Sequence, residues 1–553
     1  MITDHLTRLV SEAVESAVSE GALSGDVPGE IHFERPRRRE HGDLATNVAL
    51  AMASGRGDPR AAAQAIVDRL PPSDLVERVE IAGPGFLNFS LSPRWLHDAV
   101  RRAADPGSGF GRSDAGAGRP VDVEYVSANP TGPINVVSGR HAAVGDAIAS
   151  LFEATGHHVT REFYINDAGR QTLLFGESVA ARYLELHGAE AVIPEDGYRG
   201  DYVIDIAREI AERDGDRYVD MPAAERNETM RDLALEVTKQ WMRRSLERFG
   251  THHDVWFSER SIHESGAVDK AVARLAEAGL TEEREGAVWF LSSQLGDDKD
   301  RVLLRSNSRP TYLASDVAYM LDKISRGFDR LIYLWGADHH GTVARLKAVA
   351  DALGFGRDRV EIPLVQVVSF KQGTETLKGS KRAGVIFELD DLLDEVGADA
   401  VRYTFLTRSI DAPLEFDIAL AKEQAPENPV YYVQYAHARI CSILRRAADQ
   451  GVADPDPVTA PLELLRHGSE DALMRKLASY EEVVPEAASQ RAPQKLTRFV
   501  EELAGDFSAF YRDCKVVSDD PSLTAARLAL CVATRSVIAD ALGLLGVGAP
   551  ERM

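Results

Sequence analysis

The chain has 553 residues, 44% of them hydrophobic, and its 64 basic residues against 87 acidic ones leave a net charge of −23. That length suggests three or four domains. The ordinary apolar content excludes a disordered acidic tail, and the acidic balance argues against a surface that binds nucleic acid over its whole extent. Three scattered cysteines, Cys441, Cys514 and Cys531, are too few for a disulfide framework or a four-ligand zinc site, and point to a reducing cytoplasm. No run of about 18 apolar residues is present, so no membrane span is expected. The first residues are charged and lack the apolar core of a signal peptide. Only 12 of the basic residues are lysine, and an acid excess with so few lysines is what a salt-rich, halophilic cytoplasm favours.

The chain opens with helical spacing at Leu6, Leu9, Val10, Ala13, Val14 and Ala17. The densest basic cluster follows, with Arg35, Arg37, Arg38 and Arg39. Helices are expected over 44–53 and 61–70, and a turn leading into a strand over 81–89. The Gly/Asp/Ser-rich stretch 105–118 reads as a linker. Strands over 121–126, 158–164 and 330–335 alternate with helices over 142–154 and 343–353, which implies a doubly wound parallel sheet. Charged helices over 179–186, 202–212 and 226–249 interrupt it. Beyond 426 the pattern is helical, with candidates over 431–446, 470–479, 495–511 and 525–545.

Near the end of the first of these strands stands Glu124, followed by Ala128-Asn129-Pro130-Thr131-Gly132-Pro133 and then a helix. Such a junction offers free N–H groups and the positive end of a helix dipole to an anion; taken alone, it is also an ordinary loop. The order of residues, with Arg140 and Gly145-Asp146 on the helix, resembles the nucleotide-binding signature of class I arginyl-tRNA synthetases. The blocks at 164–171, 198–202, 316–319, 335–341, 377–382, 399–403, 41–50 and 428–439 resemble further family motifs in one order over essentially the whole chain.

The resemblance implies a multidomain α/β protein. A Rossmann-like core (116–425), with an insertion at about 172–300 and a KMSK-type loop at 378–381, lies between an N-terminal α+β tRNA-binding module (1–115) and a C-terminal all-α anticodon-binding domain (426–553). It implies an enzyme that joins L-arginine to ATP as an adenylate and passes the arginyl group to tRNA(Arg). ATP would come with Mg²⁺, and no protein-ligated metal, no membrane and a monomeric cytoplasmic state are expected. Arginine contacts fall on Glu124, Asn129, Tyr312, Asp316 and His339, with Glu124 and Asp316 as the carboxylates that grip a guanidinium. ATP contacts fall on Pro130, Thr131, Gly132, Gly336, Ala337 and Asp338. Without the resemblance, Asp338-His339-His340 reads as a polar loop or, less readily, a metal site. In the KMSK-type loop, which keeps Ser380 between its two lysines, Lys378 and Lys381 would neutralise pyrophosphate, though a lone Lys-Gly-Ser-Lys is otherwise a surface loop. For tRNA, Arg35, Arg37, Arg38 and Arg39 suit phosphates, and Tyr431, Tyr435 and Arg439 suit stacked bases; a solvated arginine run and helix-core tyrosines are the plainer alternatives.

One block departs from the family. Where a HIGH-type tetrapeptide is usual, this chain has Asn135-Val136-Val137-Ser138. Both imidazoles are missing, and Val137 replaces a glycine. Asn135 and Ser138 can hydrogen-bond ATP but carry no charge. Two expectations therefore stand: a working synthetase that uses Asn135 and Ser138, or a paralogue that binds tRNA or arginine without activating it.

Overall fold

A computed structural model of the chain describes residues 2–26, 28–36, 38–54, 57–372, 375–377, 388–452 and 456–553. The first helix, α1 (Ile2–Ser19), buries the six apolar residues whose spacing predicts it. Next come β1 (Leu44–Thr46), α2 (Val48–Ala53), α3 (Pro59–Val67), β2 (Val76–Ala82), β3 (Phe86–Leu91) and α4 (Pro93–Ala104). The three strands form an antiparallel sheet in the order β1-β3-β2. The stretch 44–53 is thus not one helix. Leu44 and Ala45 pair with Phe89 and Asn88, and that cross-strand pairing overrides the local helical spacing.

The core alternates as the sequence pattern predicts. Its elements are β4 (Pro120–Glu124), α5 (Val136–Ala154), β5 (His158–Ile165), α6 (Arg170–Leu186), α7 (Asp201–Asp214), α8 (Ala223–Arg248) and β6 (Val255–Ser258). They continue with α9 (Glu259–Glu264), α10 (Ala267–Glu277), β7 (Thr281–Arg284), β8 (Ala287–Phe290), β9 (Arg301–Leu304), α11 (Tyr312–Ser325), β10 (Arg330–Tyr333), β11 (Trp335–Gly336), α12 (Val343–Ala352) and β12 (Val360–Glu361). Five strands make an all-parallel sheet in the order β12-β10-β4-β5-β6. From β4 the chain runs outward to β5 and β6, then returns to β10 on the other side of β4. Ligands of doubly wound sheets sit at such a reversal, beyond the strands' C-terminal ends.

The stretch 172–300 is not a single insertion. Helices α6, α7 and α8 share their own core of Phe175, Val179, Tyr183, Ile206, Ile210 and Met230. The chain then re-enters the main sheet as β6 before leaving again for the antiparallel β7-β8-β9. A four-residue edge strand, too short to show a periodicity, hides that return.

Two contacts seat the remaining layers. Gly145 lets α5 lie against the sheet: a Cβ there would stand 2.2 Å from Cγ of Tyr125, just past β4. Arg402 is buried, donates to the Leu545 carbonyl (2.6 Å) and to Thr251 Oγ1 (3.0 Å), and pairs with Asp146 on α5. It joins the core to the C-terminal helices Pro429–Asp449, Gly468–Ala478, Tyr480–Gln490, Gln494–Asp513 and Pro521–Leu544. Of these, Tyr480–Gln490 escapes the sequence pattern; it holds an internal proline, Pro485. The last helix is long and apolar enough, by length and composition alone, to cross a membrane, although Arg527, Arg535 and Asp540 interrupt its apolar run. Here it packs among neighbouring helices, with Arg527 donating to Glu470 (2.7 Å) and Asp540 accepting from Tyr480 (2.5 Å).

Gly145→Ala is expected to destabilise the fold by about 1–3 kcal/mol through overpacking. A urea midpoint equal to wild type would contradict this account of how α5 is seated.

Candidate active site

A cavity of about 760 Å³ opens at the switch point. The end of β4, the first turns of α5, α11 and the Trp335–Gly336 strand line it. Directly after β4 the backbone is strained: Val126 has φ 74° and Ser127 φ 43°. That left-handed region is costly for a β-branched residue and is characteristic of sites where the surrounding structure enforces it. The turn brings Ser127 Oγ back to donate to Glu124 Oε1 (3.1 Å) and to accept the Tyr164 N–H (3.3 Å).

The opposite wall is one stripe of α11. Tyr312, Asp316, Tyr319 and Lys323 recur at i, i+4, i+7 and i+11 and share a face. Tyr312 stands at the mouth, 77% exposed. Asp316 lines the cavity wall. Tyr319 donates its hydroxyl to Glu124 Oε2 (2.8 Å) and Glu162 Oε1 (2.5 Å). Lys323, fully buried, donates to Asp122 Oδ1 (2.6 Å) and Glu124 Oε2 (2.8 Å). Arg326 completes the cluster on Glu162, at 2.6 and 3.0 Å. Tyr319 lies within the 316–319 block, but neither it nor Lys323 is among the site residues the resemblance implies, although the spacing that places them is legible in the sequence.

The electrostatics separate the two acids. Burial by itself lowers the Lys323 pKa, but Asp122 and Glu124 hold it well above its ordinary value, so the lysine is charged. Glu124 already faces that cation and accepts from Ser127, Tyr319 and Lys323. Asp316 accepts no hydrogen bond from another described residue, and burial, with Glu259 close by, pushes its carboxyl up to about 7. The expected pair of grips is therefore unequal: Glu124 is held from beneath, and Asp316 is uncommitted. A desolvated carboxylate that accepts no hydrogen bond from a cation among the described residues, with only the more distant charge of Arg345 opposing its shift, suits a planar cationic ligand group.

The other predicted residues distribute as follows. Asn129, Thr131, Gly132, Asn135, Ser138, Gly336, Asp338 and His339 line the cavity with Glu124, Tyr312 and Asp316. Asn129 Nδ2 donates to Gln171 Oε1 (3.0 Å). Pro130 and Ala337 are not in the lining; the Pro130 carbonyl instead accepts from Thr238 of α8 (2.7 Å). Asn135 is the N-cap of α5, its side chain accepting the Ser138 N–H at 2.9 Å. Val137 points away from the cavity and is 42% exposed. Lys378, Ser380, Lys381 and Arg37 lie outside the described residues, as does the side chain of Arg39. Arg35 pairs with Glu482 of the helical domain (2.9 Å), and Arg38 with Glu40 (3.3 Å). Tyr431 and Tyr435 stack with centroids 6.0 Å apart, and Arg439 lies over Tyr435 (4.6 Å) and Tyr511 (5.4 Å). Tyr435, Arg439, Arg445, Arg446, Tyr511 and Lys515 line a second cavity of about 1100 Å³.

Comparison with known proteins agrees along the whole chain. Residues 4–91 match the arginyl tRNA synthetase N terminal domain, 110–405 the class I (R) tRNA synthetase catalytic domain, and 433–553 the DALR anticodon binding domain. An arginine–tRNA ligase of Moorella thermoacetica is 48% identical over 552 residues, covering 99% of this chain and 98% of that protein. One from Carboxydothermus hydrogenoformans is 46% identical, covering 99% of each. The fold is that of the Thermus thermophilus arginyl-tRNA synthetase (TM-score 0.76, 24% identity), which spans 99% of this chain and 100% of its own.

Lys323→Met strips the cation from buried Asp122 and Glu124 and is expected to destabilise by about 3–5 kcal/mol at pH 8. Burial already pushes the Asp122 carboxyl up to about 7 with Lys323 opposing it, so without the lysine its folded pKa stays above the unfolded one and the deficit shrinks as pH falls and it protonates. Urea midpoints at pH 8 and pH 5.5 check this; a deficit independent of pH contradicts the assignment.

Proposed function

The chain belongs to the arginyl-tRNA synthetase family, and from that premise we propose that it activates L-arginine with ATP and transfers the arginyl group to tRNA(Arg). The observation that carries this reading is the uncommitted Asp316 carboxylate on the α11 stripe, facing a Glu124 held by Lys323. Asp316 pairs with the substrate guanidinium. Tyr312 covers it from the mouth, where its exposure leaves it free to do so. Glu124, with one lone-pair position left after its three donors, fixes the rim of the planar group. Asn129, with His339 nearby, takes the amino-acid end.

The arginine carboxylate is itself the nucleophile, so the reaction needs alignment and charge neutralisation rather than a base. Thr131 and Gly132 before α5, with the α5 N-terminus, suit the triphosphate. Gly336 and Asp338 suit the nucleoside. Lys378 and Lys381 remain the candidates for neutralising pyrophosphate, with Ser380 between them. Among the described residues no group of three or more His, Cys, Asp or Glu side chains is set to hold a metal; Mg²⁺ would arrive with ATP, held by phosphate oxygens and water.

For tRNA, Tyr435 and Arg439 in the lining of the second cavity, with Tyr431 stacked on Tyr435 just outside it, support base recognition there. Arg35 is the weaker candidate, because Glu482 already engages it. We place the enzyme in the cytoplasm, a reducing compartment that its three free, buried cysteines suit, and take it to act as a monomer.

Arginine-dependent exchange of pyrophosphate into ATP, run with and without tRNA, tests the reading; no exchange in either condition, across salt concentrations, would sink it. Asp316→Asn is expected to cost about 3–5 kcal/mol of arginine binding, so the arginine KM rises on the order of 10²–10⁴-fold while the ATP KM moves little. The Asp316 carboxyl must be ionised to pair, and it titrates at about 7. The arginine KM should therefore rise as pH falls from 8 to 6. A flat profile contradicts the role of Asp316. Combining Tyr435→Ala with Arg439→Ala should raise the tRNA KM by about tenfold or more and leave the arginine KM; an unchanged tRNA KM rejects the second cavity as an RNA site.

A further inference from the structure

Asn135, Ser138 and His141 stand at i, i+3 and i+6 on the face of α5 that lines the cavity. Asn135 spends its side-chain oxygen on capping the helix. His141 is different. Its Nε2 is buried without a hydrogen-bond partner among the described residues, an arrangement that is uncommon in folded proteins and, on a cavity wall, leaves room for a ligand to supply the partner. The ring lies against the end of β11: a Cβ placed on Gly336 would meet His141 Cε1 at 4.0 Å. Burial pulls the imidazole pKa down to about 4, with Arg140 and His339 adding to the effect and Asp338 opposing it. The ring is therefore neutral near pH 7 and offers a hydrogen bond rather than a charge.

A neutral, desolvated imidazole is poorly matched to a triphosphate and well matched to a ribose hydroxyl or a base edge. We propose that His141 hydrogen-bonds the nucleoside half of ATP through Nε2, supplying from the next turn of α5 an imidazole that positions 135 and 138 lack. This rests on the reading of the cavity as the ATP site. It makes His141 a specificity-determining contact that the family motifs do not mark, because it lies three residues beyond the tetrapeptide that departs from them.

Two variants separate the nitrogen from the ring. His141→Gln keeps a polar group near the Nε2 position; His141→Phe keeps the ring's volume and removes the nitrogen. Affinities for ATP, adenosine and inorganic tripolyphosphate are measured by calorimetry, and the KM values for ATP and arginine by pyrophosphate exchange. The phenylalanine variant is expected to bind ATP and adenosine about tenfold more weakly, the loss of one hydrogen bond to a buried partner, with tripolyphosphate affinity and arginine KM unchanged. The glutamine variant should recover most of the loss. Wild-type affinity for ATP in His141→Phe would overturn the proposal. So would an equal loss for tripolyphosphate, which would make the contact a phosphate one. If wild type binds ATP yet catalyses no arginine-dependent exchange, the proposed reaction fails while the calorimetric series still decides the role of His141.

Discussion

A fully buried lysine between three carboxylates is the constraint on which the site depends. Lys323 touches Asp122 and Glu124 directly and lies 3.8 Å from Glu162. Three acids under one cavity repel each other in low dielectric. Lys323, Arg326 and the Tyr319 hydroxyl make the arrangement stable enough to fold. They also fix the register of α11 against β4, because a helix that rotated would pull Lys323 out of its cage. The same register carries Asp316 into the cavity and Tyr312 to its mouth. One ion cluster thus sets both the packing of a helix on a sheet and the placing of a free charge.

This explains why two acids of one cavity differ in role. Glu124 is compensated from below, so a cationic ligand adds little to its stability. Asp316 is desolvated and has no hydrogen-bonded partner among the described residues, Arg345 acting only through its more distant charge, and in the proposed reading a ligand cation would relieve that cost. The strained turn at Val126 and Ser127 belongs to the same design: it brings the Ser127 hydroxyl onto the face of Glu124 that Lys323 does not reach.

Much of this was legible in the chain. The β4–α5 junction, the α11 acid and the strand ending at Trp335 mark the site because a doubly wound sheet brings its C-terminal strand ends together. The edge strand β6 was not legible, being four residues long, and neither was β1, whose state is decided by pairing with β3. Tyr319 and Lys323 were legible only as a spacing; nothing in a single lysine says that it is buried among acids. The net charge of −23 misleads as a guide to partners. Many of those acids are paired with arginines across the structure, such as Glu482 with Arg35 and Glu481 with Arg102, so the sum says little about the aromatic and cationic patch at Tyr435 and Arg439.

The central claim is that the cavity selects its amino acid by pairing a guanidinium with Asp316. Comparing arginine with citrulline, which keeps the shape and replaces the cation by a neutral urea group, tests it most directly. In tRNA-supplemented pyrophosphate exchange the account predicts turnover with arginine and, with citrulline, a kcat/KM lower by on the order of 10²-fold or more, the loss expected when a buried carboxylate is left unpaired. Comparable kcat/KM for the two amino acids would contradict it.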